Sequence, residues 1–280
     1  MHIPKGAIYG FVGKNGAGKT TMIRIMTGLQ KPDSGSYTLY GVPHTDPGMR
    51  KMRRRMGAVI ETPSLYMDMT AKENLKMQYR MLGLPSFQGI GELLEQVGLA
   101  NTGKKKVKNF SLGMKQRLGI AMALCGNPDF LVLDEPTNGL DPQGIVEIRE
   151  LILKLNQQQQ ITVLISSHIL GELAKVATCF GFIDQGMVLK EISAKDLESA
   201  CRKCTRIEVS DTRPLAYTLD KMGVDYNILS DETADIYAKI NLTQLTLALA
   251  EESCDIYSVQ EKDESLESYY ISLLGGGKHE

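Results

Sequence analysis

Residues 13 to 20, Gly13-Lys14-Asn15-Gly16-Ala17-Gly18-Lys19-Thr20, carry the spacing G-x-x-x-x-G-K-[ST]. The chemistry this spacing serves is the cradling of a polyphosphate. Its glycines let backbone N–H groups turn inward around phosphate oxygens with no Cβ in the way. A helix starting near Lys19 would aim its positive dipole end at the same anion. Lys19 is suited to the β- and γ-phosphates, and the Thr20 hydroxyl to Mg²⁺. Gly13, Asn15, Gly16, Ala17, Gly18, Lys19, Thr20 and Thr21 form the expected contact set for a nucleoside triphosphate.

A second cluster closes the apolar run FLVLDE, where Asp134 and Glu135 stand side by side. A buried strand ending in two carboxylates delivers them to the C-terminal edge of a sheet, beside the phosphate loop. Asp134 is expected to hold Mg²⁺ through its water shell, and Glu135 to orient and deprotonate the attacking water. Core strands do not otherwise tolerate adjacent acids.

The elements that must position these groups alternate strand and helix. AIYGFVG (7 to 13), MGAVIE (56 to 61), DFLVLDE (129 to 135), ITVLISSH (161 to 168) and CFGFIDQG (179 to 186) read as strands with helical segments between them. SGSYTLYG (34 to 41) alternates like a strand on a sheet edge. The fold expected is α/β, a mostly parallel sheet covered on both faces. Residues 70 to 126 read as a helical subdomain with breaks at GLPS and NTG. Beyond residue 200 the order β-α-β-β-α-β suggests a small α+β appendage at 205 to 280, after a main domain at 1 to 200. A helix at SLESYYISLL and a frayed GGGKHE tail would close the chain.

Across 280 residues, 42% are hydrophobic, 23% are charged and the formal net charge is −1. That balance supplies no bulk electrostatic pull toward nucleic acid. No apolar run reaches the roughly 20 residues a membrane span needs. The first residues lack the charged n-region and cleavage site of a secretory signal. Five scattered cysteines argue against a disulfide framework, and Cys201 and Cys204 read as linker thiols rather than a metal site. The basic run MRKMRRRMG (49 to 57) reads as a solvated helix face.

Phosphate loops serve many enzymes, and the residues between and after the two clusters decide among them. NFSLGMKQRLGIA (109 to 121), then LVLDEPTNGLDP, then ISSH resemble the ATP-binding cassette (ABC) family over roughly residues 3 to 190. The resemblance implies an ATPase built as a P-loop core with a helical signature subdomain. It makes Ser111, Leu112, Gly113 and Met114 the signature contact to the partner subunit's ATP in a homodimer. It also makes Asp141 the coupling residue between the two sites and His168 the switch histidine at the γ-phosphate. Catalysis falls to Glu135, His168 and Lys19, with ATP and Mg²⁺ as ligands.

Two motifs depart from the family pattern. Leu112 stands for a glycine and Met114 for a glutamine of the signature, while Ser111 and Gly113 remain. Glu61 stands where the family's Q-loop glutamine belongs; a carboxylate can ligate Mg²⁺ with Thr20 and Asp134 but cannot donate a hydrogen bond unless protonated. Slower or differently coupled hydrolysis is the expectation. This acid, FSLGMKQR and the appendage resemble the bacterial exporters of bacitracin-resistance and lantibiotic-immunity kind. There the ATPase is a separate chain at the cytoplasmic face of the membrane, and a permease partner supplies the spanning helices. A soluble ABC ATPase without a transport role, or an exporter of an unrelated substrate, is the competing reading. The family's loop usually lies thirty or more residues into the domain, after a strand pair and an aromatic that stacks on adenine. Tyr9 is not expected to replace that aromatic. Stacking worth about 1–3 kcal/mol per base implies that an upstream extension would tighten ATP binding and cover a sheet edge.

Overall fold

The computed structural model describes residues 1–201, 204–238, 240–262 and 266–275. The chain divides into two compact units, Met1–Ala194 and Lys195–Glu280.

In the first unit, β1 (Ile8–Val12) is buried at every position and runs into α1 (Lys19–Thr27) through the glycine loop. Gly28 in the left-handed region ends α1, with its N–H turned back onto the last turn. A small hairpin, β2 (Thr38–Leu39) with β3 (Val42–Pro43), precedes α2 (Met49–Arg53) and β4 (Met56–Val59). The expected edge strand at 34 to 41 is therefore a hairpin outside the main sheet. Its turn is set by Tyr40 and Gly41, both at positive φ.

The helical stretch holds α3 (Ala71–Leu82), α4 (Ile90–Gln96) and α5 (Leu112–Leu124). Thr70 and Glu73 form a reciprocal capping box at the start of α3, so this boundary is written locally. The remainder is β5 (Phe130–Asp134), α6 (Pro142–Gln159), β6 (Thr162–Ser167), α7 (Leu170–Leu173), β7 (Cys179–Asp184) and β8 (Met187–Ser193). The sheet order is β4-β5-β6-β1-β7-β8, parallel except for β8 against β7. Strand β8 is absent from the sequence reading. Its turn, with Gln185 and Gly186 both at positive φ, is a two-residue hairpin signal.

The core under the phosphate loop joins Tyr9, Phe11, Ile23, Val132, Leu164 and Ile183. Tyr9 is fully buried and donates to Glu191 Oε1 at 2.5 Å. Burial first, then that carboxylate, pushes its phenol far above the ordinary range. A Cβ at Gly181 would lie 2.0 Å from the Tyr9 hydroxyl, so the neighbouring strand must carry glycine there. The basic run is only partly a solvated face. Arg53 donates to the Tyr37 hydroxyl at 2.5 Å, and Arg55 pairs with Asp129 beneath the start of β5.

The second unit opens with α8 (Ala194–Ala200), whose first residue belongs to the first unit. It continues as β9 (Cys204–Val209), α9 (Thr212–Met222), β10 (Tyr226–Ile228), β11 (Thr233–Ile236), α10 (Leu242–Glu251), β12 (Ile256–Lys262) and α11 (Leu266–Gly275). Its sheet is antiparallel with order β10-β11-β9-β12, a split β-α-β arrangement. Ile207, Val209, Leu215, Leu219, Ile236, Leu245 and Leu249 form its own core. No disulfide joins the five cysteines. The tail beyond Gly275 lies outside the described residues.

Candidate active site

Strand β1 is buried on both faces, so it can end only at the sheet's edge, where the chain must turn over the sheet into α1. Gly16 and Gly18 supply that turn with φ of 81° and 106°, a region that side chains with Cβ rarely enter. Gly13 answers a different need: a Cβ there would lie 2.6 Å from the Ile183 carbonyl oxygen. The β7–β8 turn closes against the loop through the Gly186 N–H, which donates to the Ala17 carbonyl at 2.9 Å.

Lys19 is buried and folds back over the loop, donating to the Gly13 carbonyl at 2.6 Å and the Lys14 carbonyl at 3.2 Å. Its ammonium also meets Glu135 Oε1 at 3.2 Å. The other oxygen of Glu135 lies 2.9 Å from His168 Nδ1. Three sequence-distant residues thus form one chain of contacts, Lys19–Glu135–His168. Glu135 holds a left-handed backbone, φ 49°, that a residue with a side chain seldom keeps. Its Oε1 is buried with no hydrogen-bond donor besides that ion pair among the described residues. A carboxylate in this state is poised for a new partner.

A second chain runs beside it. Thr20 Oγ1 donates to Asp134 Oδ2 at 2.8 Å, and Ser166 Oγ donates to Asp134 Oδ1 at 2.5 Å. Ser166 also accepts the Glu135 N–H at 2.9 Å, fixing both acids from β6. Sequence reasoning missed Ser166; its only local signal is a polar residue that follows the apolar run Val163 to Ile165, two positions before His168. Hydroxyl and carboxylate oxygens are hard donors, and Mg²⁺ is commonly held by one or two of them together with substrate phosphates. The Thr20–Asp134 pair fits that need. Among the described residues no group of three or more His, Cys, Asp or Glu forms a metal cage.

Glu61 lies elsewhere. It pairs with Arg24 at 2.6 Å, and no contact to Thr20 or Asp134 is recorded among the described residues.

The third cluster sits at two helix starts. Ser111 caps α5, accepting from Met114 N at 3.2 Å, and Asp141 caps α6, accepting from Gly144 N at 3.2 Å. Gly113 lies against Leu140 and Gly144, so the two starts adjoin. Leu112 is exposed and leans over Gly139, whose missing side chain makes room for it. Arg117 and Glu147, 3.3 Å apart, tie α5 to α6. Ser111, Leu112 and Asp141 are exposed, while Gly144 is buried beneath them.

Residues 1–138, which hold the phosphate loop, the Ser111 helix start and the paired acids, match a family model described as ABC transporter. The chain is 40% identical over 280 residues to the bacitracin transport ATP-binding protein BcrA of Bacillus licheniformis, covering 99% of this chain and 91% of that one. The chain belongs to the ABC transporter family, as an ATP-binding subunit. It is also 48% identical over 191 residues to the lantibiotic transport ATP-binding protein SrtF of Streptococcus pyogenes, covering 68% and 81% of the two chains. Among solved structures, the ATP-binding cassette MJ0796 in a dimeric post-hydrolysis state with ADP and Pi superimposes with a TM-score of 0.62. That match has 26% identity and covers 69% of this chain and 88% of the other. The fold is that of an ABC ATPase, and the chain binds ATP and is an ATPase.

Proposed function

We propose that this chain is the energy-supplying subunit of a bacterial exporter of peptide antibiotics of the bacitracin or lantibiotic kind. It works as a homodimer with two ATP molecules between its cassettes, on the cytoplasmic face of the membrane, beside a separate permease. The observation that carries this reading is the span of the similarity to BcrA, which runs through the second unit as well as the cassette. No helix of the described residues is long and apolar enough to cross a membrane.

In this reading the triphosphate enters the loop at Gly13–Thr21 and competes for the Lys19 ammonium. Losing Lys19 leaves Glu135 with an unbalanced buried oxygen, which then takes the proton of the attacking water. The new bond forms between water oxygen and γ-phosphorus; the bond to the bridging oxygen breaks, and ADP and phosphate leave. His168, already on Glu135, holds the carboxylate and meets the γ-phosphate. Thr20 and Asp134, with Glu61 once freed, would hold Mg²⁺, which when bound neutralises charge on the phosphate oxygens. Ser111 and Gly113, with Leu112 and Met114 beside them, cap the partner's ATP by the α5 N-terminus. Asp141 links that cap to the second site.

Deleting the gene tests the substrate assignment. A drop in the inhibitory concentration of bacitracin or a lantibiotic is expected, and unchanged sensitivity to both would remove it. Co-purification with an integral membrane protein tests the transport role independently.

A further inference from the structure

Glu61 stands at a junction. Strand β4 ends at Val59 in the core sheet, and Pro63 is seated on α5, where a Cβ at Gly119 would lie 2.5 Å from the proline ring. The three residues between, Ile60 to Thr62, therefore join the sheet to α5, the helix capped by Ser111. Glu61 makes the turn with a left-handed backbone, φ 58°. That conformation is sparsely populated for a residue with a side chain, and it persists only where the surroundings hold it. Its carboxylate meets Arg24, whose Nη2 lies 2.6 Å from Glu61 Oε1. Arg24 is one helical turn beyond Thr20 on α1, so the two share a face of that helix. The carboxylate is thus parked one turn along α1 from the hydroxyl that faces Asp134.

We infer that Arg24 is a positioning residue, a latch that keeps Glu61 away from Thr20 and Asp134 until metal-bound nucleotide arrives. The inference explains why a carboxylate stands at residue 61. A neutral side chain there would lose the charge half of this pair, and release would no longer require an ionic competitor. Breaking the latch frees the junction, and with it the connection from the sheet to α5. Both partners are well exposed, 44% for Arg24 and 59% for Glu61. Solvent-screened pairs of this kind set fold-changes of about 1.5 to 5, not orders of magnitude. The latch biases the junction and does not lock it.

The inference rests on the proposal that Glu61 serves the metal-nucleotide site, and the experiment separates the two. The nucleotide-free chain is digested with a glutamyl endopeptidase, and the fragment ending at Glu61 is followed by mass spectrometry, with cuts at other glutamates as internal reference. Arg24→Gln is expected to speed that cut about 2- to 5-fold, with other cuts unchanged. Arg24→Lys should restore resistance. In the unmodified chain, high salt should speed the Glu61 cut by itself, a comparison that needs no variant to fold. Affinity for a fluorescent ATP analogue is then measured with Mg²⁺ and with a chelator. Arg24→Gln should tighten the Mg²⁺ form about 2- to 5-fold and leave the chelated form unchanged. Equal cutting in Arg24→Gln and in high salt would overturn the latch. Faster cutting with unchanged Mg²⁺-dependent affinity would overturn its link to the metal site. An unmodified chain that bound no nucleotide would instead remove the underlying proposal.

Discussion

The phosphate loop and the turn at Ser111 both lead into helix starts, yet their polar groups are paired to different degrees. Beside α1 the acids, the lysine and the hydroxyl are paired within the same chain: Lys19 on Glu135, Thr20 on Asp134, Asp134 on Ser166, Glu135 on His168. Around α5 the polar groups only cap their own helix, and Leu112 is about half exposed. The first site is preorganised and holds itself closed with its own charges. The second has one wall. On the proposed reading, a single cassette carries the groups for binding and proton transfer but only one wall of the site at α5.

The comparison can be broken first at its strongest point. Lys19→Ala removes the charged donor of the finished site, and charged hydrogen bonds contribute about 1.5–3 kcal/mol. ATP affinity by equilibrium titration should therefore fall about 10- to 150-fold. Gly13→Ala places a methyl against the Ile183 carbonyl, where overpacking costs about 1–3 kcal/mol; the urea midpoint of the folded chain should drop without change in the unfolding slope. Ser111→Ala at the unfinished site should cost about 1 kcal/mol of stability through the lost cap. It should slow hydrolysis at high protein concentration while single-chain ATP affinity stays level, and equal loss of affinity would erase the contrast. The smallest effect lies at the foot of the sheet. Burial raises the Asp129 carboxyl, but hydrogen bonds from Tyr40 and Arg55 outweigh it and hold the group below its ordinary value near 3.8. A depressed carboxyl stabilises the fold above the unfolded value and loses that contribution as pH falls through the folded one. Asp129→Asn should therefore lower the urea midpoint slightly at neutral pH and not at strongly acidic pH.

What the sequence disclosed follows the same division. Gly13 to Thr20 and Asp134-Glu135 were legible because each is a local pattern at a strand end, and strand ends of a parallel sheet converge on one edge; His168 was named only through the family resemblance. The helical stretch from 70 was legible for a similar local reason, and the structure adds the capping box at Thr70 and the caps at Ser111 and Asp141. Pairings across the chain were not. Ser166 under Asp134, Arg24 on Glu61 and Tyr9 on Glu191 depend on which strands and helices become neighbours, which spacing alone does not encode. Two hairpins show the limit on a smaller scale. Residues 38 to 43 pair with each other rather than with the sheet, and β8 follows a two-residue turn that looked like the end of a strand. The arginines at 53 and 55 look solvated in the sequence because their partners, Tyr37 and Asp129, arrive from elsewhere.

The most direct test of the central claim, that one cassette is chemically complete and its second wall comes from another copy, uses Glu135→Gln with ATP and Mg²⁺ in the analytical ultracentrifuge. The account predicts binding without turnover and a shift from monomer to dimer that ADP does not produce. A chain that stays monomeric with ATP bound, or hydrolyses at the unmodified rate, would contradict it.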